Sequence, residues 1–305
     1  MRRFIKYSIL FALPILLVGI VFEIFLRKIP NDYAYKRGYL DKHSNELRIL
    51  FLGNSHFYFG IDPQFIGQHV FNASHVSQSL DYDYAILDKY KDRIENLQCI
   101  VLPVDYFSLF TTLETSVEDW RVKNYRIYYG LYMGNVLCDN FEIFSILPKD
   151  NLERCIQYYS KNKSSISCTE LGWGFEYLSS KSKNLDTTGM TAANRHTIKT
   201  DKHFNHNVAV LNRLISFAKQ RKIKIVFITS PASSAYVTRL DSMQLNRTIQ
   251  QMQSLADNKD VYYLNLLTEP RFLKEDFYDA DHLNEKGAQK FSVIIGNFVE
   301  ESLGK

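Results

Sequence analysis

A chain of 305 residues with 46% hydrophobic and 23% charged side chains has the composition of a folded globular protein, which excludes a disordered or collagen-like one. Its net charge of +4 lies entirely in the first thirty residues, where Arg2, Arg3, Lys6, Arg27 and Lys28 outweigh Glu23. The remainder therefore sums to zero, and no basic stripe marks a nucleic-acid surface.

Tyr7 to Leu26 carries one charge, Glu23, and Ile9 to Phe22 has no polar side chain. Twenty helical residues rise about 30 Å, the thickness of a bilayer's hydrocarbon core. Pro14 is tolerated in such a helix. Ile24-Phe25-Leu26-Arg27 is too bulky for a signal-peptidase site, so residues 1–30 are expected to remain as an inner-membrane anchor spanning through residues 7–26. A short basic amino terminus held in the cytoplasm places the rest of the chain in the periplasm or outside the cell.

Residues 31–46 read as a polar connector. Leu47 to Leu52 is a short, mostly apolar run ending at Gly53, as in a central strand followed by a sharp turn. Asp62-Pro63 is expected to open a short helix. Val70 to Ala73 reads as a second strand, Ser77 or Ser79 as the cap of a helix reaching Tyr90, and Cys99 to Leu102 as a strand buried on both faces. The alternation resumes with a helix over Asn207–Gln220, a strand over Ile223–Thr229, a helix near 240–256, a strand over Val261–Asn265 and a closing helix over Asn284–Glu300. This order predicts an α/β domain with a mostly parallel sheet, built from 47–105 and 204–305. Residues 106–203 break the rhythm, hold Trp120 and Trp173, and read as an inserted aromatic-rich cap, serving either as packing at a sheet edge or as a substrate wall. Cys99, Cys138, Cys155 and Cys168 include no CxxC pair; Cys155 and Cys168 could bridge over a short loop, or all four could stay reduced.

Two motifs carry chemistry. Gly53-Asn54-Ser55-His56 follows the first strand, and Asp279-Ala280-Asp281-His282 precedes the last helix. Ligands of open parallel sheets collect at the carboxyl ends of strands, so both motifs can reach one edge. There Ser55 would act as nucleophile, His282 as its base and Asp279 as the group orienting His282, with Asp281 the alternative orienter. His56 and His75 are candidates for substrate binding or for anchoring their turns. His196, His203 and His206 lack the accompanying carboxylate of a metal site, and no metal or cofactor is expected.

These blocks resemble the SGNH (GDSL-like) hydrolase superfamily, whose first block matches as Gly53-Asn54-Ser55 and whose last matches as Asp279-x-x-His282. The resemblance covers about residues 47–105 and 205–302. It implies a three-layer, flavodoxin-like sandwich and the Ser, His and Asp roles just assigned. Ser77 falls where the family's oxyanion glycine stands, and Asp105 where its amide-bearing asparagine stands, leaving Asn54 as a further oxyanion candidate. Asp105 then becomes a candidate for substrate contact. The anchor and insertion are similar to those of cell-envelope members, implying an esterase or O-acyltransferase acting on an envelope glycan or acylated carbohydrate, with a membrane acyl-donor protein as partner if acyl groups are transferred. The alternative is a non-catalytic member that binds glycan or a biosynthetic partner.

Overall fold

The computed structural model describes residues 1–133, 137–144 and 146–304. They form two compact units: Met1–Arg37 with Val117–Ser167, and Gly38–Ser116 with Cys168–Lys305.

The second unit is built on five parallel strands: β1 (Ile49–Phe51), β2 (Val70–Asn72), β3 (Cys99–Pro103), β4 (Lys224–Thr229) and β5 (Val261–Asn265). Their spatial order is β2-β1-β3-β4-β5, the flavodoxin-like order, which reverses direction between β1 and β3. All five strands fall within a residue or two of the runs read from the sequence. β1 to β4 were legible because both faces are covered: Ile49, Phe51, Val101 and Val226 pack with Phe291, Ile295 and Val299 of the Glu285–Ser302 helix, while Leu50, Ile100 and Phe227, which point the other way, are equally buried; β5, at the sheet edge, is half-buried or exposed beyond Val261. Truncating Phe291 would cost about 3–5 kcal/mol by leaving a cavity under the sheet.

The helices at Leu80–Tyr90, Phe204–Gln220, Ser242–Leu255 and Glu285–Ser302 stand where the apolar periodicity places them. Asp62 caps the short 3-10 helix Pro63–Phe65 as expected, accepting from the Gln64 N–H, with Pro63 at its first position. Ser79 occupies the N-cap position before Leu80, but its hydroxyl accepts from the Leu113 N–H instead of capping. Asp32–His43, within the stretch read as connector, is helical, with the Asn31 side chain accepting from the Ala34 N–H at its start. Residues 168–203, within the stretch read as a cap, fold with the sheet unit and include the Leu185–His196 helix.

Among the described residues, the first unit contains one helix, Arg2–Arg27, long and apolar enough to cross a membrane. It runs through Pro14 and rises about 39 Å. Cys99 and Cys168 are buried and Cys138 is exposed.

Candidate active site

The site lies at the β1/β3 switch point, where chains leaving neighbouring strands in opposite directions open a crevice. Two residues past β1 stands Gly53, whose φ of 119° is a backbone region that L side chains rarely adopt; a Cβ there would stand 2.1 Å from Pro103 Cδ. This tight turn delivers Ser55 to the first position of a short helix, Ser55–Gly60, capped by Asn54, whose Oδ1 accepts from the His56 N–H. Ser55 is only half-buried, whereas Asn54 and His56 on either side of it are buried.

The loop before the last helix brings the second motif to the same place. Phe277 and Leu283 form an antiparallel bridge, and Tyr278 N–H donates to His282 O across the turn. Inside it, Asp279 Oδ1 accepts from the backbone N–H of His282 at 2.9 Å and from that of Asp281 at 3.3 Å. The same oxygen is 2.9 Å from His282 Nδ1, and His282 Nε2 is 2.9 Å from Ser55 Oγ. Residues 227 positions apart in sequence thus form one hydrogen-bonded chain, Ser55–His282–Asp279. The geometry permits proton transfer from the hydroxyl to Nε2, with Nδ1–H fixed by the carboxylate.

Asp281 is the second carboxylate near His282, its Oδ1 3.5 Å from Nδ1. Its Oδ2 faces His56 Nε2 at 3.7 Å, His196 Nδ1 at 3.8 Å and an Arg195 guanidinium nitrogen at 3.7 Å. His56 is clamped on its other side by Asp105, Nδ1 to Oδ2 at 2.9 Å, in an ion pair whose N–H is not aligned as a hydrogen bond. Burial alone would lower the pKa of both histidines. The opposing charges outweigh it: Asp105, with a contribution from Asp281, raises His56 to about 9, and Asp281 with Asp279 raises His282 to about 10. His196 goes the other way, lowered to about 3 by burial despite Asp281. Burial would raise Asp105, yet the His56 charge holds it below the usual carboxylate range.

Asp105 answers why a carboxylate is tolerated where an amide was expected. Its Oδ2 accepts from Asn54 Nδ2 at 3.0 Å, and its Oδ1 from the Ser230 N–H at 2.9 Å. With His56 added, both oxygens are engaged by positive or N–H groups. One N–H of the Asn54 amide is committed to that contact. Ser77 has φ 60°, the left-handed conformation that a glycine adopts without cost. His75 is buried, and its backbone N–H donates to Gly53 O, tying the second loop to the nucleophile turn. The sequence reading passed over one further donor: the Ser55 backbone N–H, which at the first position of a helix has no intrahelical acceptor.

Aromatic rings wall the imidazole. Tyr177 and Phe59 meet His282 edge-on at 5.4 and 6.0 Å, and Phe59, Tyr177 and Tyr278 stack in series at 3.6 and 3.9 Å. Phe107 lies 4.3 Å from His196, whose Nδ1 is 2.8 Å from the Tyr236 hydroxyl. His206 instead pairs with Asp81 at 2.9 Å and His203 approaches Thr115, so the three histidines close in sequence are not one cluster. Ligand atoms of His56, Asp281 and His282 lie within 4.8 Å of one another, but both His282 nitrogens are already hydrogen-bonded.

No family model matches the sequence, and no curated protein matches it. Among solved structures, the chain is similar to a candidate acylhydrolase from Bacteroides fragilis NCTC 9343, at 11% identity and a TM-score of 0.39, over 87% of this chain and 95% of that one. It is also similar to a GDSL-like lipase from Bacteroides thetaiotaomicron VPI-5482, at 11% identity and a TM-score of 0.40, over 88% and 99%.

Proposed function

We propose that the protein is a membrane-tethered serine esterase or O-acyltransferase of the SGNH type, working outside the cytoplasm on an acylated envelope polysaccharide. The observation that carries this reading is the Ser55–His282–Asp279 hydrogen-bonded chain at the β1/β3 switch point. In the reaction, neutral His282 takes the Ser55 proton as Oγ attacks the acyl carbonyl. Asp279 stabilises the imidazolium, which returns the proton to the departing sugar oxygen. Water or a second sugar hydroxyl then attacks the acyl-Ser55 ester with His282 again as base, releasing acid or transferring the acyl group. The Ser55 N–H, Ser77 N–H and second Asn54 amide hydrogen are the donors proposed for the oxyanion. Transfer would require an activated acyl donor delivered by a membrane partner, since one helix cannot move one across the bilayer.

Hydrolysis of a 4-nitrophenyl acetate ester by the full chain in detergent tests the reading. Ser55→Ala and His282→Ala should each lower kcat/KM by about 10³-fold or more, with unchanged circular dichroism. Equal turnover by wild type and Ser55→Ala would reject it. The ionised Asp105 favours one other reading, a glycan-binding protein without turnover, which predicts an intact fold, no hydrolysis and retained glycan binding in Ser55→Ala.

A further inference from the structure

In the unit that contains the Arg2–Arg27 helix, a buried carboxylate and a patch of exposed apolar side chains lie close together in sequence. Glu142 is fully buried and holds Lys123 at 2.5 Å, Arg154 at 3.0 Å and the Tyr128 hydroxyl at 2.7 Å. Meanwhile Phe144, Leu147, Leu152, Ile156 and Tyr159 are exposed. Leu152, Ile156 and Tyr159 recur at i, i+4 and i+7 on the Pro148–Tyr159 helix and so form one stripe. Exposed Lys149 and Glu153 flank it on one side. Soluble proteins rarely leave such a patch open.

The structure also gives the depth of this patch. Glu23, the only charge in the span, accepts from the N–H groups of Glu142 at 3.0 Å and Ile143 at 2.9 Å. The Ile143 side chain lies over Gly19. Tyr159 donates its hydroxyl to Phe25 O at 2.9 Å and meets the Phe25 ring edge-on at 5.2 Å. The segment therefore runs along Gly19 to Phe25. With Leu26 at the end of the hydrocarbon span, Gly19 sits about 10 Å inside it. Interfacial amphipathic helices lie about 5–10 Å deep.

The geometry points to the Pro148–Tyr159 helix, with Phe144 and Leu147, as a second membrane-contacting element that lies in the leaflet entered by the carboxyl end of the Arg2–Arg27 helix. Its partner is the lipid itself. The element adds two backbone N–H donors to the Glu23 carboxylate, whose Oε1 already pairs with Arg27 Nε at 2.6 Å, so that both oxygens of the one charge in the span are engaged at that depth. It gives the chain a two-part footing instead of a single flexible tether.

Nitroxide labels on the full chain in phosphatidylethanolamine–phosphatidylglycerol vesicles test this. Cys138 and Cys155 are changed to serine, which leaves the buried Cys99 and Cys168, and single cysteines are placed as Leu152→Cys, Ile156→Cys and Glu153→Cys. Residues 152 and 153 point about 100° apart. Labels at 152 and 156 should collide several-fold more often with oxygen than with a water-soluble nickel chelate, and the label at 153 the reverse. Phe144→Cys gives an independent reading should a label on the helix disturb it. Nickel access at 144, 152 and 156 equal to that at 153 would overturn the proposal. So would low collision with both reagents and an immobilised spectrum, the signature of a protein partner on this face.

Discussion

Replacing Asp281 with asparagine should make the nucleophile more reactive near neutral pH. The carboxylate lies 3.5 Å from His282 Nδ1 and is the largest contribution raising that histidine to about 10. At an effective dielectric constant of about 20, charges at that distance interact by about 5 kcal/mol, equivalent to about 3.5 pH units. The same substitution removes a partner of His56, 3.7 Å away. His56 then deprotonates more readily and relieves a repulsion of opposite sign, so the net displacement expected is about 2 units. The assay is the second-order rate of labelling by a fluorophosphonate probe from about pH 6 to about pH 10.5, since only neutral His282 can accept the Ser55 proton. In the wild type the rate should rise about tenfold per pH unit below a midpoint near 10. In Asp281→Asn the midpoint should fall to about 8, so that at about pH 8 the neutral fraction climbs from about 1% to about half. A midpoint that stays within about half a unit of the wild type would refute the claim that Asp281 sets the base's protonation.

Stability should carry the same signature. His56 and His282 have folded pKa values raised above the ordinary 6.5, so their contribution is complete below that pH and lost as pH rises through about 9 and then about 10. Urea midpoints should therefore fall from about pH 7 to about pH 10, and an alkaline rise would contradict the ion-pair assignment. Gly53→Ala should destabilise the fold by roughly 2–4 kcal/mol, because the added Cβ meets Pro103 in a left-handed turn; chemical denaturation reads this directly. Ser77→Gly, at φ 60°, should be neutral or slightly stabilising, and a loss beyond about 1 kcal/mol would show that the serine hydroxyl holds the loop.

The strands and the two end motifs were legible because each is local. A buried parallel strand is a short apolar run, the nucleophile turn needs its glycine, and Asp279-x-x-His282 closes on itself as the His282 N–H donates to the Asp279 carboxylate three residues back. What the chain brings from elsewhere was hidden. Arg195 and His196 reach Asp281 from the Leu185–His196 helix, and Tyr177 walls His282 from a stretch with no secondary-structure rhythm. Asp281 itself reads from sequence as a spare orienter; only its three-dimensional neighbours make it the hub of three histidines. The Asp32–His43 helix has a polar, tyrosine-bearing face without apolar periodicity, although Asn31 before it was a readable cap. The Ser55–Gly60 helix is too short to show any period.

The central claim is that Ser55 is an activated nucleophile held by His282 and Asp279. Intact-mass and peptide mass spectrometry of the full chain after incubation with a fluorophosphonate tests it most directly. A single adduct on the peptide containing Ser55, lost in Ser55→Ala and strongly slowed in His282→Ala and Asp279→Asn, is the expected result. Absence of any adduct on Ser55 at alkaline pH, in protein whose fold is intact, would contradict it.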